Sequence, residues 1–323
     1  MTTASWIRKE SLTMQETTDT VSPSADPVST AANPVPPSAD PVSTAAQPAP
    51  VAGRQRLYRR FGKAERIGHI GLGISFIGLA ITGLPLLYSQ EPWARWIAHS
   101  MGGFEATGFL HRFFALVMIV LFAWHLARVF RRIIVDRDLG MLWGPYSMVP
   151  QPRDARDVYQ NIRYFLGKGE PPRFERYTYW EKFDYWAVFW GMAIIGGSGL
   201  ILWFPEFFTR FLPGWTLNLA SVIHGLEAVL AVGFIFTIHL FHNNLRAEKF
   251  PMDTVMFTGY VTEDELRKER PDEYERLQRE GSLKEIEVEP VKPSLLNAGR
   301  IYGVAVNLLG VILVGLMLYA LLG

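Results

Sequence analysis

The sequence predicts an all-α integral membrane protein: a four-helix transmembrane bundle with a fifth, C-terminal transmembrane helix. Three observations predict it. Five apolar runs, at about 67–88, 109–130, 183–204, 217–241 and 302–322, are long enough to cross about 30 Å of hydrocarbon. Basic residues crowd alternate loops. Polar side chains inside the runs recur at matched depths.

The chain starts with a different kind of sequence. In residues 1–53, "SADPVSTAANP" (24–34) returns as "SADPVSTAAQP" (38–48). A segment so rich in Pro, Ala, Ser and Thr has too little apolar area to offset its ordering entropy, which predicts a disordered tail. It lacks the apolar stretch of a secretory signal.

The first span follows Arg54, Arg56, Arg59, Arg60, Lys63 and Arg66. The second is followed by Arg128, Arg131, Arg132 and Arg137, the fourth by Arg246 and Lys249. The opposite loops, 89–108 and 205–216, carry only Arg95 and Arg210. The positive-inside rule therefore places the N-terminus in the cytoplasm and the C-terminus outside, in the periplasm if the membrane is the bacterial inner one. Trp93, Trp96 and Trp215 in the outer loops suit an interfacial aromatic belt. Between spans two and three, "DVYQNIRYFLGKG" is amphipathic. Residues 246–299 form a charged inner segment whose "TEDELRKERPDEYERLQRE" predicts a helix with a solvated charged face and Pro271 near its middle. The fifth span has no ionisable side chain but Tyr, and its Gly303, Gly310 and Gly315 suit close helix contact.

Composition excludes several functions. With no cysteine, the chain holds no disulfide, iron–sulfur cluster, thiolate zinc site or covalently attached c-type haem. A formal charge of +1 gives no bulk reason for a nucleic-acid partner.

Six of the seven histidines lie in or at the ends of spans: His69, His111, His125, His224, His239 and His242. His111 and His125, 14 residues apart, are separated by about 21 Å along a helix and about 40° around it. His224 and His239, 15 apart, are separated by about 22 Å and about 60°. His111 and His224 therefore share the outer level. His69, His125 and His239 share the inner one, with His242 a turn below. Imidazoles from facing helices fill both axial positions of an untethered b-type haem, and an apolar bundle houses its macrocycle. A lone transmembrane histidine more often bonds to a neighbouring helix. A proton or metal-ion pathway needs carboxylates, and the spans offer Glu227 with Glu105 and Asp184 at their ends. Glycines in spans one and three leave room for a macrocycle or for helix contact. Arg66, Arg112, Arg128, Lys182 and Arg246 flank the two levels, as propionate partners or as topology charges.

Four stretches carry a family resemblance: "RIGHIGLGISFIGLAITGLPL", "FLHRFFALVMIVLF", "YTYWEKFDYWAVFWGMAIIGGSGLILWFP" and "VIHGLEAVLAVGFIFTIHLF". Over about 58–250 the chain resembles the cytochrome b subunits of membrane-bound formate dehydrogenases and the related hydrogenase and thiosulfate-reductase subunits. The resemblance implies two haems b on four helices, held by His111 with His224 and by His69 with His239. It also implies quinone exchange near the inner haem and a redox partner subunit on the outer side. Four departures stand out. His125 lies at the right depth to replace His69, and with His242 it raises the haem count to two or three. The His224–His239 spacing is 15 where the family has 14. The family's quinone-loop Asn and Gly fall on Thr178 and Trp180, leaving Thr178, Glu181 and Lys182 as quinone-site candidates. The tail and fifth span are additional. "RAEKFPMD" and "ERPDEYERL" resemble b subunits that accompany multihaem c cytochromes, so the expected partner is a multihaem cytochrome c or an iron–sulfur protein. The expectation is a quinone-linked, electron-transferring cytochrome b of the bacterial inner membrane. A membrane anchor with structural haems and a His-lined ion transporter are the alternatives.

Overall fold

A computed structural model describes residues 55–323, and the tail at 1–53 lies outside the described residues. Among the described residues, five helices are long and apolar enough to span a membrane: α1 (Lys63–Leu87), α3 (Phe104–Val135), α5 (Tyr179–Trp203), α6 (Trp215–Leu245) and α9 (Pro293–Leu322). Each starts before the apolar run that predicted it, and α3 and α6 also end after it. The protein is a multi-pass, all-α membrane protein. At the end away from the basic loops, α2 (Pro92–Ser100) and one turn at Pro205–Phe208 link the spans. His99, expected in a loop, is on α2.

Lipid offers no hydrogen bonds, so hydroxyls inside the spans bond to their own helix. Thr82 Oγ1 donates to Gly78 O at 2.7 Å, and Ser198 Oγ to Ile194 O at 2.6 Å. Helices α1 and α3 pack closely because glycines meet large side chains. A Cβ on Gly71 would lie 2.8 Å from Leu121, and one on Gly78 2.5 Å from the Phe114 ring. Helix α9 packs on both α1 and α6, with Val306, Leu313 and Met317 buried against Ala80, Leu84, Val232, Phe236 and Leu240. Gly310 admits Phe236 and Gly303 admits Met252, as the sequence suggested, but Gly315 faces open space. The expectation for Gly315 is corrected: it lies on the side of α9 turned away from the bundle.

Helices α5 and α6 are not uniformly wound. Each contains a π turn, Met192–Gly196 in α5 and Ile235–His239 in α6. Such a turn inserts one residue into the winding, often at a functional site.

The basic end carries a cap that hydropathy did not reveal. Strand β1 (Leu57–Arg59) pairs antiparallel with β2 (Tyr260–Thr262). Tyr58, Val261, Leu266 and Tyr274 form a small core beneath them. Helix α4 (Pro152–Phe165) starts with Gln151 and Asp154 in a capping box. The charged helix breaks at Pro271, which lacks the N–H a continuous helix needs, into α7 (Glu263–Glu269) and α8 (Pro271–Arg279). Its face is not all solvated, which corrects the sequence reading. Glu273 is only 1% exposed, between Arg60 Nη1 at 3.1 Å and Arg176 Nη1 at 3.0 Å. Lys249 is buried against Asp253 at 3.0 Å and Glu265 and Glu269, each at 3.2 Å. A charge count along the sequence cannot separate a solvated run from one folded onto opposite charges.

Removing one member of a buried ion cluster strands the others and costs about 3–5 kcal/mol. Glu273→Ala should therefore lower the thermal midpoint of the solubilised protein and expose the cap to limited proteolysis. Glu280→Ala, which breaks a half-exposed pair with Arg276 at 3.2 Å, should change stability by less than about 1 kcal/mol.

The cap is also pH-bounded. Burial raises the Glu265 carboxyl, but the Thr262 backbone N–H and Lys249 outweigh it and hold it below the ordinary glutamate value. Burial lowers the Lys249 ammonium, but Asp253, Glu269 and Glu265 outweigh it and hold it above the ordinary lysine value. The Glu265 contribution is present above about pH 4.3 and lost as pH falls through its lowered folded value. The Lys249 contribution is present below about pH 10.4 and lost as pH rises through its raised one. Protease resistance of the cap should be greatest between these limits and fall on both sides, measured as cleavage rate against pH.

Candidate functional site

Two pairs of imidazoles face one another in the bundle. At the outer level, His111 on α3 and His224 on α6 have ring centroids 6.2 Å apart, with planes at 83°. At the inner level, His69 on α1 and His239 on α6 have centroids 6.3 Å apart, with planes at 30°. A metal–imidazole bond is about 2.0 Å and the ring centre lies about 1.1 Å beyond the nitrogen, so two rings on opposite faces of one metal have centres about 6.2 Å apart. Both pairs have that spacing. Aromatic contacts without a metal fall between about 4.5 and 7 Å, so the separation admits a metal and does not by itself require one.

The neighbours of these rings fix which nitrogen is free. The Thr82 hydroxyl spends its proton on Gly78 O, so at 3.0 Å it accepts from His111 Nδ1–H. Ile195 O, a carbonyl, accepts from His224 Nδ1–H at 3.0 Å. The Asp184 carboxylate lies 2.9 Å from His239 Nδ1. Each of the three rings therefore holds its proton on Nδ1 and leaves Nε2 unprotonated, the tautomer of a metal-bound histidine with an orienting partner.

The two outer half-sites are built alike. Gly83 follows Thr82, and Gly199 follows Ser198. A Cβ on Gly83 would lie 3.0 Å from His111 Cε1 and 3.3 Å from its Nδ1; on Gly199 the same two distances to His224 recur. These glycines serve neither of the two purposes foreseen for them alone. Gly68, Gly71 and Gly78 pack helices, while Gly83 and Gly199 seat imidazoles. The π turn at Ile235–His239 takes up the extra residue in the His224–His239 interval, bringing His239 back to the face opposite His69.

The remaining candidates lie elsewhere. His125 Nε2 is 3.0 Å from the Tyr185 hydroxyl, and the His125 ring packs on Tyr185 and Phe189. His242 Nδ1 bonds to Ile238 O at 3.1 Å, and its ring stacks on Trp180 with centroids 5.6 Å apart. Thr178 and Glu181 form the capping box of α5, and Glu181 also bonds to Arg270 at 3.0 Å. Lys182 Nζ lies 2.9 Å from both oxygens of Asp154. Glu227 accepts from Trp190 Nε1 at 3.4 Å and so faces α5. Of the flanking basic residues, Arg128 pairs with Glu65 at 2.9 Å and Arg246 with Glu269 at 3.5 Å. Arg66 bonds to Phe257 O; among the described residues its buried Nε–H has no partner, nor have the buried Nε1–H of Trp93 and, in the cap, the Nε–H of Arg270. Asp184 was noted in the sequence only as a span-end carboxylate. Its role at His239 needed the rotation of α5 to be known.

Among the described residues, no three His, Asp or Glu side chains gather as a bare metal ion would require. Paired imidazoles at two depths, three of them with Nδ1 engaged and Nε2 unprotonated, fit a macrocycle that takes two axial ligands. Partnerless buried donors on Arg66 and Trp93 suit a group that brings its own acceptors.

A multi-pass helical bundle with such pairs has the architecture of a membrane cytochrome b. Residues 60–243 match the model of the prokaryotic cytochrome b561 family, and the chain belongs to that family. It is 25% identical over 223 residues to the formate dehydrogenase cytochrome b556(fdo) subunit of Escherichia coli (strain K12), covering 68% of this chain and 93% of that one. The subunit of the same name from Escherichia coli O157:H7 matches equally. The protein is thus a membrane cytochrome b of electron transfer, and its family implies haem b.

Gly83→Leu and Gly199→Leu should each drive a side chain into an outer imidazole and lower haem per polypeptide, read by pyridine haemochrome. Gly197→Ala, whose Cβ meets nothing within 4 Å, should leave the content unchanged.

Proposed function

We propose that the chain binds two haems b and carries electrons across the bacterial inner membrane between a quinone pool and a redox partner subunit. The observation that carries this reading is the pair of ring separations, 6.2 and 6.3 Å, at the two levels. His111 and His224 are the outer ligands, His69 and His239 the inner ones. A haem held at each level supplies a one-electron iron couple. Helix rise separates the two levels by about 21 Å. Thr82, Ile195 and Asp184 orient the ligands and keep Nδ1 protonated. Arg66 and Trp93 offer donors to propionates.

The haem bundle comprises residues 54–245, with 246–299 as a cytoplasmic segment, 300–323 as an added helix and 1–53 as a tether. The basic cap end is cytoplasmic, and the C-terminus is periplasmic. The relatives are formate dehydrogenase cytochrome subunits, which favours a redox partner docked on the outer end, carrying iron–sulfur clusters or several c haems. Trp96, Phe207 and Phe211 are exposed at that end. Quinone exchange belongs to the inner level. Thr178, Glu181 and Lys182, on the cap side of that level, are its candidate residues; in this structure their polar atoms bond to one another, to Arg270 and to Asp154.

Wild-type protein should contain two haems b per polypeptide, both reducible by added quinol. His111→Ala and His224→Ala should each remove one haem, and His69→Ala and His239→Ala the other. His125→Ala and His242→Ala should retain both. Full haem content in His69→Ala would overturn the inner assignment. Haems reducible by dithionite but not by quinol would make the chain an anchor.

A further inference from the structure

Helix α4 is built inside out. Its side towards the protein is polar. Asp154 and Asp157 are buried, Asp154 lies 2.9 Å from Lys182 Nζ and Asp157 lies 3.7 Å from Arg153 Nε. Asn161 donates to the Tyr179 hydroxyl at 2.7 Å. Its outward side is apolar: Tyr159 is 63% exposed, Ile162 53% and Leu166 63%. At spacings of three and four, these three form one stripe. A helix on a water-soluble domain buries such a stripe against the core. One that turns its carboxylates in and its apolar stripe out faces an apolar medium. The bonds that hold α4 set its level. Tyr179 and Lys182 belong to the first four residues of the span α5, so α4 sits where that span leaves the membrane.

Beside the apolar stripe runs a basic one. Arg156 and Arg163, two turns apart, line a surface pocket of about 270 Å³ with Tyr159, Gln160, Gly169 and Glu170. The end of the helix closes it. Gly167, at φ +69°, turns the chain back. Lys168 N–H then donates to Arg163 O at 2.8 Å, and Gln160 Nε2 to the Glu170 and Pro171 carbonyls at 3.4 Å. The Arg163 guanidinium lies 5.9 Å from the Tyr159 ring centre and donates to Lys168 O. Among the described residues, neither it nor Arg156 nor Lys168 pairs with a carboxylate. These three cations outnumber Glu170, the one carboxylate at the pocket.

We propose that α4 lies in the membrane interface at the cap end and that the Arg156–Arg163 pocket binds the phosphate of an anionic phospholipid. The apolar stripe meets the acyl chains, and Tyr159 stands between the two stripes. The guanidiniums meet the headgroup phosphate, which their forked N–H donors suit. A phospholipid brings phosphate and hydrocarbon together, as the adjoining stripes require; a soluble anion brings only the first. Nothing in this site depends on haem or quinone.

The chain has no cysteine, so Ile162→Cys gives a unique attachment point for a nitroxide. In nanodiscs the label should be relaxed more by oxygen, which concentrates in lipid, than by a water-soluble nickel chelate. Lipid retention is read by native mass spectrometry of the full-length, haem-loaded protein, with phosphatidylglycerol and phosphatidylcholine offered equally in detergent. Wild-type protein should favour phosphatidylglycerol by about tenfold, since each cation near the headgroup contributes. Arg156→Gln combined with Arg163→Gln should bring that preference close to unity at unchanged haem content, and Arg156→Lys should keep most of it. Excess inorganic phosphate should leave the lipid bound; displacement would make the pocket a soluble-anion site and overturn the lipid assignment. A label relaxed mainly by the nickel chelate would put the stripe in water, and one shielded from both reagents would put another protein copy on it. Either result overturns the proposal. Equal retention of the two lipids by wild-type protein does so without any variant, and a preference that survives in the double variant would place the phospholipid elsewhere.

Discussion

The bond from an imidazole Nδ1–H to an acceptor on a neighbouring helix is the interaction on which the bundle depends. In lipid no water can replace it. Thr82, Ile195 and Asp184 each take one such proton, from His111, His224 and His239. Each bond does two things. It satisfies a polar group that would otherwise be stranded, and it fixes the tautomer that leaves Nε2 unprotonated. Helix contact, tautomer and ligand direction are thus one constraint, and none can change without the others.

The same constraint explains the local irregularities. Imidazoles need room beside the backbone, and Gly83 and Gly199 provide it at equal distances from the two outer rings. The α1–α3 and α5–α6 pairs solve that problem twice, with Thr-Gly and Ser-Gly. They part company at the inner level. There α6 supplies His239 through a π turn, and its partner ring comes from α1, while α3 turns His125 towards Tyr185. One helix, α6, therefore serves both levels.

Much of this was legible in the residues. Apolar length gave the five spans, and histidine spacing gave two levels. The pairing of His69 rather than His125 with His239 was not readable from spacing. Both lie at the same depth, and only the rotations of α1 and α3 separate them. Asp184 was invisible as a partner for the same reason. The cap was misread because charge patterning along one segment does not reveal that Glu273 meets Arg60 and Arg176 from distant parts of the chain. The Pro271 break was visible, since proline cannot continue a helix.

Helix α9 lies outside the span of the family match, yet it grips the two helices that carry His69 and His239. Phe236 and Leu240, on either side of His239 in the chain, are buried in that contact. A ring pair clamped from behind has little freedom to widen or tilt. The same contact reaches the other pair: Leu84, beside the Thr82–Gly83 seat of His111, is buried in one cluster with Phe236, Leu240, Leu313 and Met317. The added helix thus braces both histidine pairs through packing alone, without contributing a histidine to either.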